Sequence, residues 1–331
     1  MSELRFRLLN EFQRSFPLVR EPFAELGRRV GVAPEAVMEA LEALQAEGAV
    51  SRIGAVFRPG AVGTGALAAM AVPLGRLHDV AEQVGRHSEV NHNYEREHAF
   101  NLWFVATAPD AGRLSAVLAQ IGDETGLKVM ALPLIEEYHI DLGFDLAGGE
   151  TPGRGENGGL IQAAALSASD RCLIGALQDG LPIVARPYLA VGECCAMSEA
   201  EVIERLAAWQ ESGIVRRFGV VVRHLELGYR ANAMVVWDVP NELAGEFGAR
   251  LANEADVNLC YRRARHLPHW PYNLYAMIHG KERALVSRRI ETISSELGLD
   301  AFAREILFSR RRFKQTGARY VKQPESVHGC A

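Results

Sequence analysis

The chain has 331 residues, 48% of them hydrophobic and 23% charged, with a formal net charge of -5. That balance fits two to four ordinary globular domains and excludes a disordered or fibrous chain. No run approaches the roughly 18–20 apolar residues of a membrane helix, Met1–Arg7 lacks the pattern of a secretory signal, and the acidic excess weighs against nucleic acid, so a cytoplasmic protein with no membrane or nucleic-acid partner is expected.

Apolar residues at helical spacing predict helices over Leu4–Arg14, Pro22–Val30 and Pro34–Glu47, the last stopped by Gly48. A strand follows at Ala49–Arg58, where residues alternate, so the order is that of a winged helix-turn-helix. Next come a strand at Ala66–Leu74, a helix at Arg76–Arg86, strands at Val90–Arg96 and Phe100–Ala106, a helix at Asp110–Thr125 and a strand at Lys128–His139. This βαββαβ order predicts a ferredoxin-like unit. Residues 147–160 hold six glycines and Pro152 without apolar periodicity, the composition of a linker.

The cycle then restarts. Phe16–Ala66 aligns without a gap on Leu181–Ala231, with 17 of 51 positions identical, among them Gly27/Gly192, Arg52/Arg217, Gly54/Gly219 and Arg58/Arg223. Helices are predicted at Ala168–Leu177, Pro187–Val191 and Ser198–Glu211, a wing at Ile214–Arg223 and a second βαββαβ unit from Arg230 to about Phe313. The fold class is therefore α+β, a tandem repeat of winged helix-turn-helix plus ferredoxin-like domain. Its expected boundaries are 1–62, 63–146, a linker at 147–166, 167–227, 228–320 and a tail at 321–331. Two copies in one chain form an internal pseudo-dimer.

This domain order resembles the Lrp/AsnC regulators, so DNA binding is weighed first. A recognition helix needs Lys, Arg, Asn or Gln facing phosphates and base edges. Pro34–Glu47 instead carries Glu35, Glu39, Glu42 and Glu47 with no basic residue, and Ser198–Glu211 carries Glu199, Glu201, Glu204 and Glu211 against Arg205. Carboxylates against a phosphate backbone repel, so these helices read as packing units. The five cysteines have no CxxC spacing, which leaves a zinc site unsupported.

Chemistry concentrates at the second strand of each ferredoxin-like unit. Copy one reads Val90-Asn91-His92-Asn93-Tyr94-Glu95-Arg96-Glu97-His98 on to Asn101, Leu102 and Trp103, and copy two reads Val257-Asn258-Leu259-Cys260-Tyr261-Arg262-Arg263-Ala264-Arg265-His266 on to Asn273 and Leu274. Copy two has five more residues between Tyr and Asn, including Pro268 and Pro271. Alternation puts Tyr94, Arg96 and His98 on one face, and Tyr261 and Arg263 on another. With Arg262, Arg265, Arg311, Arg312 and Lys314 near by, aromatic rings and guanidiniums suit a flat ligand bearing several carboxylates.

The stretches Glu95–Val105, Tyr261–Gly280 and Arg311–Tyr320 resemble the signature stretches of the siroheme decarboxylases in their fused NirD–NirL form, and the resemblance spans essentially the whole chain. It implies an Lrp/AsnC-like fold put to enzymatic use: removal of carboxyl groups from siroheme acetate side chains, on the route to the haem of cytochrome cd-type nitrite reductase or to haem. Siroheme and its products would be the ligands, and no separate cofactor is implied because the iron arrives with the substrate. A homodimer or partner decarboxylase subunits would be the further assembly.

The residues suit that chemistry. Loss of CO2 leaves an electron pair that the macrocycle accepts, after which carbon is protonated, and histidine, with an ordinary pKa near 6.5, can act as the acid. His98 is the first candidate, followed by His266 and His269. Tyr94, Arg96, Tyr261, Arg262, Arg263, Arg265, Arg311, Arg312 and Lys314 are the expected substrate-binding set. A histidine could instead ligate the siroheme iron, and the residues leave both roles open. Arg52 and Arg217 read as salt-bridged wing residues, and Arg311 as half-buried. The alternatives are a ligand-sensing transcription regulator and a tetrapyrrole carrier without catalysis.

Overall fold

The computed structural model describes residues 2–140, 165–222 and 231–321. The glycine-rich stretch at 147–160 and the tail beyond Val321 lie outside the described residues. Copy one begins with α1 (Glu3–Glu11), α2 (Pro22–Val30), α3 (Pro34–Ala46) and β1 (Val50–Phe57). Proline at the first turn of α2 and α3 needs no backbone donor there, and Val37, Leu41 and Leu44 turn one face of α3 into the core. The ferredoxin-like unit follows as β2 (Thr64–Met70), α4 (Leu77–Arg86), β3 (Val90–Arg96), β4 (Leu102–Ala108), α5 (Ala111–Thr125) and β5 (Met130–Ile140).

Copy two repeats this order as α6 (Ala168–Leu177), α7 (Pro187–Cys194), α8 (Glu199–Glu211) and β6 (Val215–Val222), then β7 (Ala231–Trp237), α9 (Ala244–Ala252), β8 (Val257–Arg263), β9 (Leu274–Gly280), α10 (Arg283–Leu297) and β10 (Arg304–Gln315). Reciprocal capping boxes, Ser167 with Asp170 and Ser198 with Glu201, start α6 and α8.

The wings differ from expectation. Among the described residues each copy contributes one wing strand, and β1 pairs antiparallel with β6 of the other copy. The equivalent glycines Gly54 and Gly219 are directly opposed, so the pseudo-twofold axis passes between them. A Cβ on Gly219 would lie 2.4 Å from the carbonyl oxygens of Phe12 and Gln13, which makes glycine the residue that fits. Below this ribbon the six helices share one core, in which Leu8, Phe23 and Leu41 of copy one meet Leu173, Tyr188, Leu206 and Phe218 of copy two.

The two ferredoxin-like sheets do not remain separate. Each keeps its own order, β5-β2-β4-β3 and β10-β7-β9-β8, but β5 also pairs with β8 and β10 also pairs with β3, which closes one barrel of both copies. Closure removes four sheet edges that would otherwise expose unpaired backbone groups. Alternation along the strands splits the side chains into two populations. Outward residues pack under helices, with Ala68, Met70 and Leu102 against Val80, Val84 and Ile121 in copy one and Ala233, Val235 and Ala276 against Leu251, Ile290 and Ile293 in copy two. Inward residues either form an aromatic plug, containing Trp103, Trp270, Tyr275, Leu132 and Leu307, or line a cavity above it.

Candidate active site

The cavity has a volume of about 470 Å³, within the range of small-molecule sites. Trp103 and Tyr275 belong both to the plug and to the cavity wall, so the plug is the floor. The β1–β6 ribbon and residues Gln315–Ala318 and Tyr320 complete the enclosure as a roof. In the ring of strands β3 and β8 stand four apart, on opposite sides. Tyr94 and Arg96 on β3 therefore face Tyr261 and Arg263 on β8 across the barrel.

Each half-site is built alike. Arg96 Nη1 donates to the carbonyl of Leu307 on β10 at 2.9 Å, and Arg263 Nη1 donates to that of Leu132 on β5 at 3.1 Å. The guanidinium of Arg96 lies 5.9 Å from the Tyr94 ring, and that of Arg263 lies 5.1 Å from Tyr261 and 5.9 Å from Tyr275. Burial pushes Arg96 down to about 10, still cationic at neutral pH, and lowers Arg263 in the same way. Burial raises Tyr94 and pushes Tyr261 up to about 12, so both phenols keep their protons and can donate. Among the described residues neither Arg96 nor Arg263 has a carboxylate partner.

Behind each Tyr/Arg pair stands an asparagine. Asn91 Nδ2 donates to Thr107 Oγ1 at 2.6 Å, and its Oδ1 lies 2.8 Å from His92 Nδ1. Asn258 Oδ1 lies 2.8 Å from His279 Nδ1. An amide oxygen only accepts, so in both histidines Nδ1 carries the hydrogen of this bond. The copies diverge here, because the repeat places Leu259 where copy one has His92, and Thr107 where copy two has His279. Each copy thus brings one histidine to the cavity wall, from a different strand.

The wing ribbon adds Arg52, Arg216 and Arg217 to the lining. Arg216 is ion-paired to the buried Glu137, and burial lowers it to about 10. Arg217 donates to the Gln13 carbonyl at 3.3 Å. The described lining holds these three arginines, Arg96, Arg263, His92 and His279, but no aspartate or glutamate.

Of the residues anticipated from sequence, Tyr94, Arg96, Tyr261 and Arg263 are brought together at this cavity and the others lie elsewhere. His98 does not share the Tyr94 and Arg96 face, because β3 ends at Arg96 and the chain turns. Its Nδ1 accepts the Phe100 N–H at 3.0 Å, its ring stands edge-on to Trp270 at 5.4 Å, and burial lowers its pKa. His266 and His269 are exposed on the loop that inserts Trp270 into the plug. Arg262 faces outward on β8, 3.9 Å from Glu136, and Arg265 is held by Asp238 at 2.6 Å.

The β10 cations also have other work. Arg311 is exposed over Phe313 rather than half-buried, and Arg312 donates to Gln315 at 3.1 Å. Lys314 Nζ donates to the carbonyls of Gly85 at 2.7 Å and His87 at 3.0 Å, at the negative end of α4. Sequence reasoning passed over His92, although it lies two residues before Tyr94 and so on the same strand face. His279 carries the same signal, four residues beyond Tyr275. Arg52 and Arg217, read from sequence as salt-bridged wing residues, both reach the cavity wall.

Fold and site together define a tandem of AsnC-type ligand-binding domains closed around one cavity lined by cations and aromatic rings. The AsnC-like ligand binding domain family matches residues 61–139 and 226–314, and the siroheme decarboxylase NirDL-like HTH domain family matches residues 6–50 and 170–216. The chain is 42% identical over 321 residues to the siroheme decarboxylase NirDL subunit of Paracoccus denitrificans, covering 96% of this chain and 97% of that one. It is 33% identical over 322 residues to a siroheme decarboxylase of Hydrogenobacter thermophilus, covering 96% and 95%. A crystal structure of the siroheme decarboxylase NirDL in co-complex with an iron-uroporphyrin III analogue superposes with a TM-score of 0.68 at 30% identity, covering 96% of this chain and 93% of that one. The chain belongs to the siroheme decarboxylase family, of the NirDL type.

Proposed function

We propose that this chain decarboxylates siroheme, converting acetate side chains to methyl groups, with the macrocycle held in the barrel cavity. The observation that carries this reading is a described lining of Arg52, Arg96, Arg216, Arg217 and Arg263 with tyrosines and no carboxylate. Arg216 is already paired with Glu137, but Arg96 and Arg263, buried without a carboxylate among the described residues, are costly alone and become favourable when a ligand brings carboxylates, each charge-assisted bond contributing about 1.5–3 kcal/mol. Tyr94 and Tyr261 present ring faces to a flat ligand and phenol hydrogens to its edge.

In the reaction the bond between the acetate methylene and its carboxylate breaks and CO2 leaves. The electron pair passes into the conjugated macrocycle, and Nε2 of His92 or His279 delivers the proton that completes the methyl group. Nδ1, bonded to an asparagine, fixes each ring. No oxidant or reductant is needed, because one proton replaces one CO2. Arg96 and Arg263 hold carboxylates, and the apolar floor favours loss of charge from the reacting one. Partner decarboxylase subunits and a homodimer belong to this reading as further assembly.

The test is anaerobic incubation of the purified protein with siroheme, followed by mass spectrometry of the tetrapyrrole. Loss of one CO2 per processed acetate is expected. Stoichiometric binding with unchanged mass would leave a carrier and overturn the enzyme. His92→Gln and His279→Gln should each bind siroheme and lose at least about 100-fold in turnover, the size of a general-acid contribution. Arg263→Ala should weaken binding as well.

A further inference from the structure

Arg52 and Arg217 are equivalent in the repeat, and each lies two residues before the glycine on the pseudo-twofold axis, so both point from the ribbon toward the cavity. Their surroundings have diverged. Arg217 is tied to the carbonyl of Gln13, and its neighbour Arg216 to Glu137. The repeat pairs Arg216 with Ser51, so copy one has no such ion pair. The residue equivalent to Gln13 is Gln178; among the described residues Arg52 makes no hydrogen bond to its backbone carbonyl, and its side-chain oxygen instead accepts from the Tyr320 N–H at 2.6 Å and the Val321 N–H at 3.0 Å.

Among the described residues Arg52 makes one hydrogen bond, from Nη2 to the Ala55 carbonyl at 3.1 Å, and its buried Nε has no partner there. Among the described residues it has no ion-paired carboxylate, and Asp179 acts on its charge only through space. Two glycines make room for it. A Cβ on Gly180 would lie 2.8 Å from Arg52 Cβ, and a Cβ on Gly317 would lie 3.0 Å from Arg52 Nη1. The segment carrying Gly317 is fixed at one end by Thr316 N–H to the Asn91 carbonyl at 2.8 Å and at the other by Gln178. A cation is thus enclosed in the roof with donors unspent, as a carboxylate-binding fork requires.

We propose that Arg52 is a specificity-determining residue, binding from the roof a substrate carboxylate that is not lost and so fixing which acetates reach the reacting positions. This rests on the siroheme reading above. The helix-turn-helix module then takes part in substrate recognition through its wing, with the macrocycle edge bridging barrel and ribbon.

The experiment compares the unaltered protein with Arg52→Gln and Arg52→Lys, using absorbance titrations of siroheme and of iron-coproporphyrin III, which has propionates but no acetates, together with KM and kcat for CO2 release. Arg52→Gln should weaken siroheme binding about 10- to 100-fold, the equivalent of one charge-assisted bond. The loss should fall on Kd and KM more than on kcat, and lysine should restore part of it. An equal penalty with iron-coproporphyrin III assigns the carboxylate to a propionate, and a penalty confined to siroheme assigns it to an acetate. A structural role would lower the melting temperature of the ligand-free protein and leave Kd for both tetrapyrroles unchanged, which would overturn the proposal. If the unaltered protein binds siroheme without releasing CO2, the enzymatic reading fails while the Kd comparison still decides Arg52; absence of binding overturns both.

Discussion

Arg96 and His98 are two residues apart and meet opposite fates. Arg96 is the last residue of β3, so its side chain still obeys strand alternation and enters the barrel, whereas His98 lies in the turn and packs into the plug. His98→Phe would keep the ring contacts with Phe100 and Trp270 but leave the Phe100 N–H without its acceptor, at a cost of about 1–3 kcal/mol. The expected outcome is a lower melting temperature with siroheme binding preserved, and loss of turnover without loss of stability would give His98 a catalytic role instead. Lys314→Met should cost up to about 1 kcal/mol by removing a cation from the C-terminal end of α4. Chemical denaturation measures it.

The long loop between β8 and β9 supplies Trp270 to the plug beneath the cavity. Its extra residues allow Trp270 to turn inward, 1% exposed, with Nε1 donating to Tyr275 Oη at 2.7 Å and its ring 5.1 Å from that of Trp103. Trp270→Ala should cost about 3–5 kcal/mol and remove part of the floor, weakening siroheme affinity as well as stability. At the other junction Glu97, following β3, binds Arg283 of α10 at 2.6 Å and Arg310 of β10 at 3.3 Å. Hydrogen bonds from Arg283 hold the Glu97 carboxyl below its ordinary value. A carboxylate with a depressed folded pKa contributes its stability above the unfolded value, near about 4.3, and loses it as pH falls through the folded value. Glu97→Gln should therefore be less stable by up to about 1 kcal/mol at neutral pH, since Arg283 is largely exposed. The difference should vanish in acid, and denaturant midpoints at several pH values will show whether it does.

For the whole molecule, closure of the barrel makes the two copies interdependent. Each half alone would expose both outer strands of its sheet, β3 and β5 or β8 and β10, and would hold only one Tyr/Arg pair. Expressed separately, the halves are expected to self-associate or aggregate through those edges, and mixing them should restore a single complex that binds siroheme. Size-exclusion chromatography with absorbance titration tests this. A monomeric half that binds siroheme unaided would contradict the shared cavity.

Much of this architecture is written locally. The repeat, the βαββαβ order and the Tyr-x-Arg alternation follow from helical and strand periods, which depend on neighbouring residues, and so Tyr94, Arg96, Tyr261 and Arg263 were found. The point where β3 stops depends on hydrogen bonds to β4 and β10, which are not local. That single boundary separates His98 from the site and leaves His92 in it. Local periodicity is enough to specify two copies of one module with cations and aromatic rings on matching strands. Tertiary structure alone decided that the sheets close into one barrel, because pairing β5 with β8 and β10 with β3 satisfies backbone groups far apart in the chain. The same long-range pairing set which cations are spent on Glu136, Asp238 or a helix end and which face the cavity.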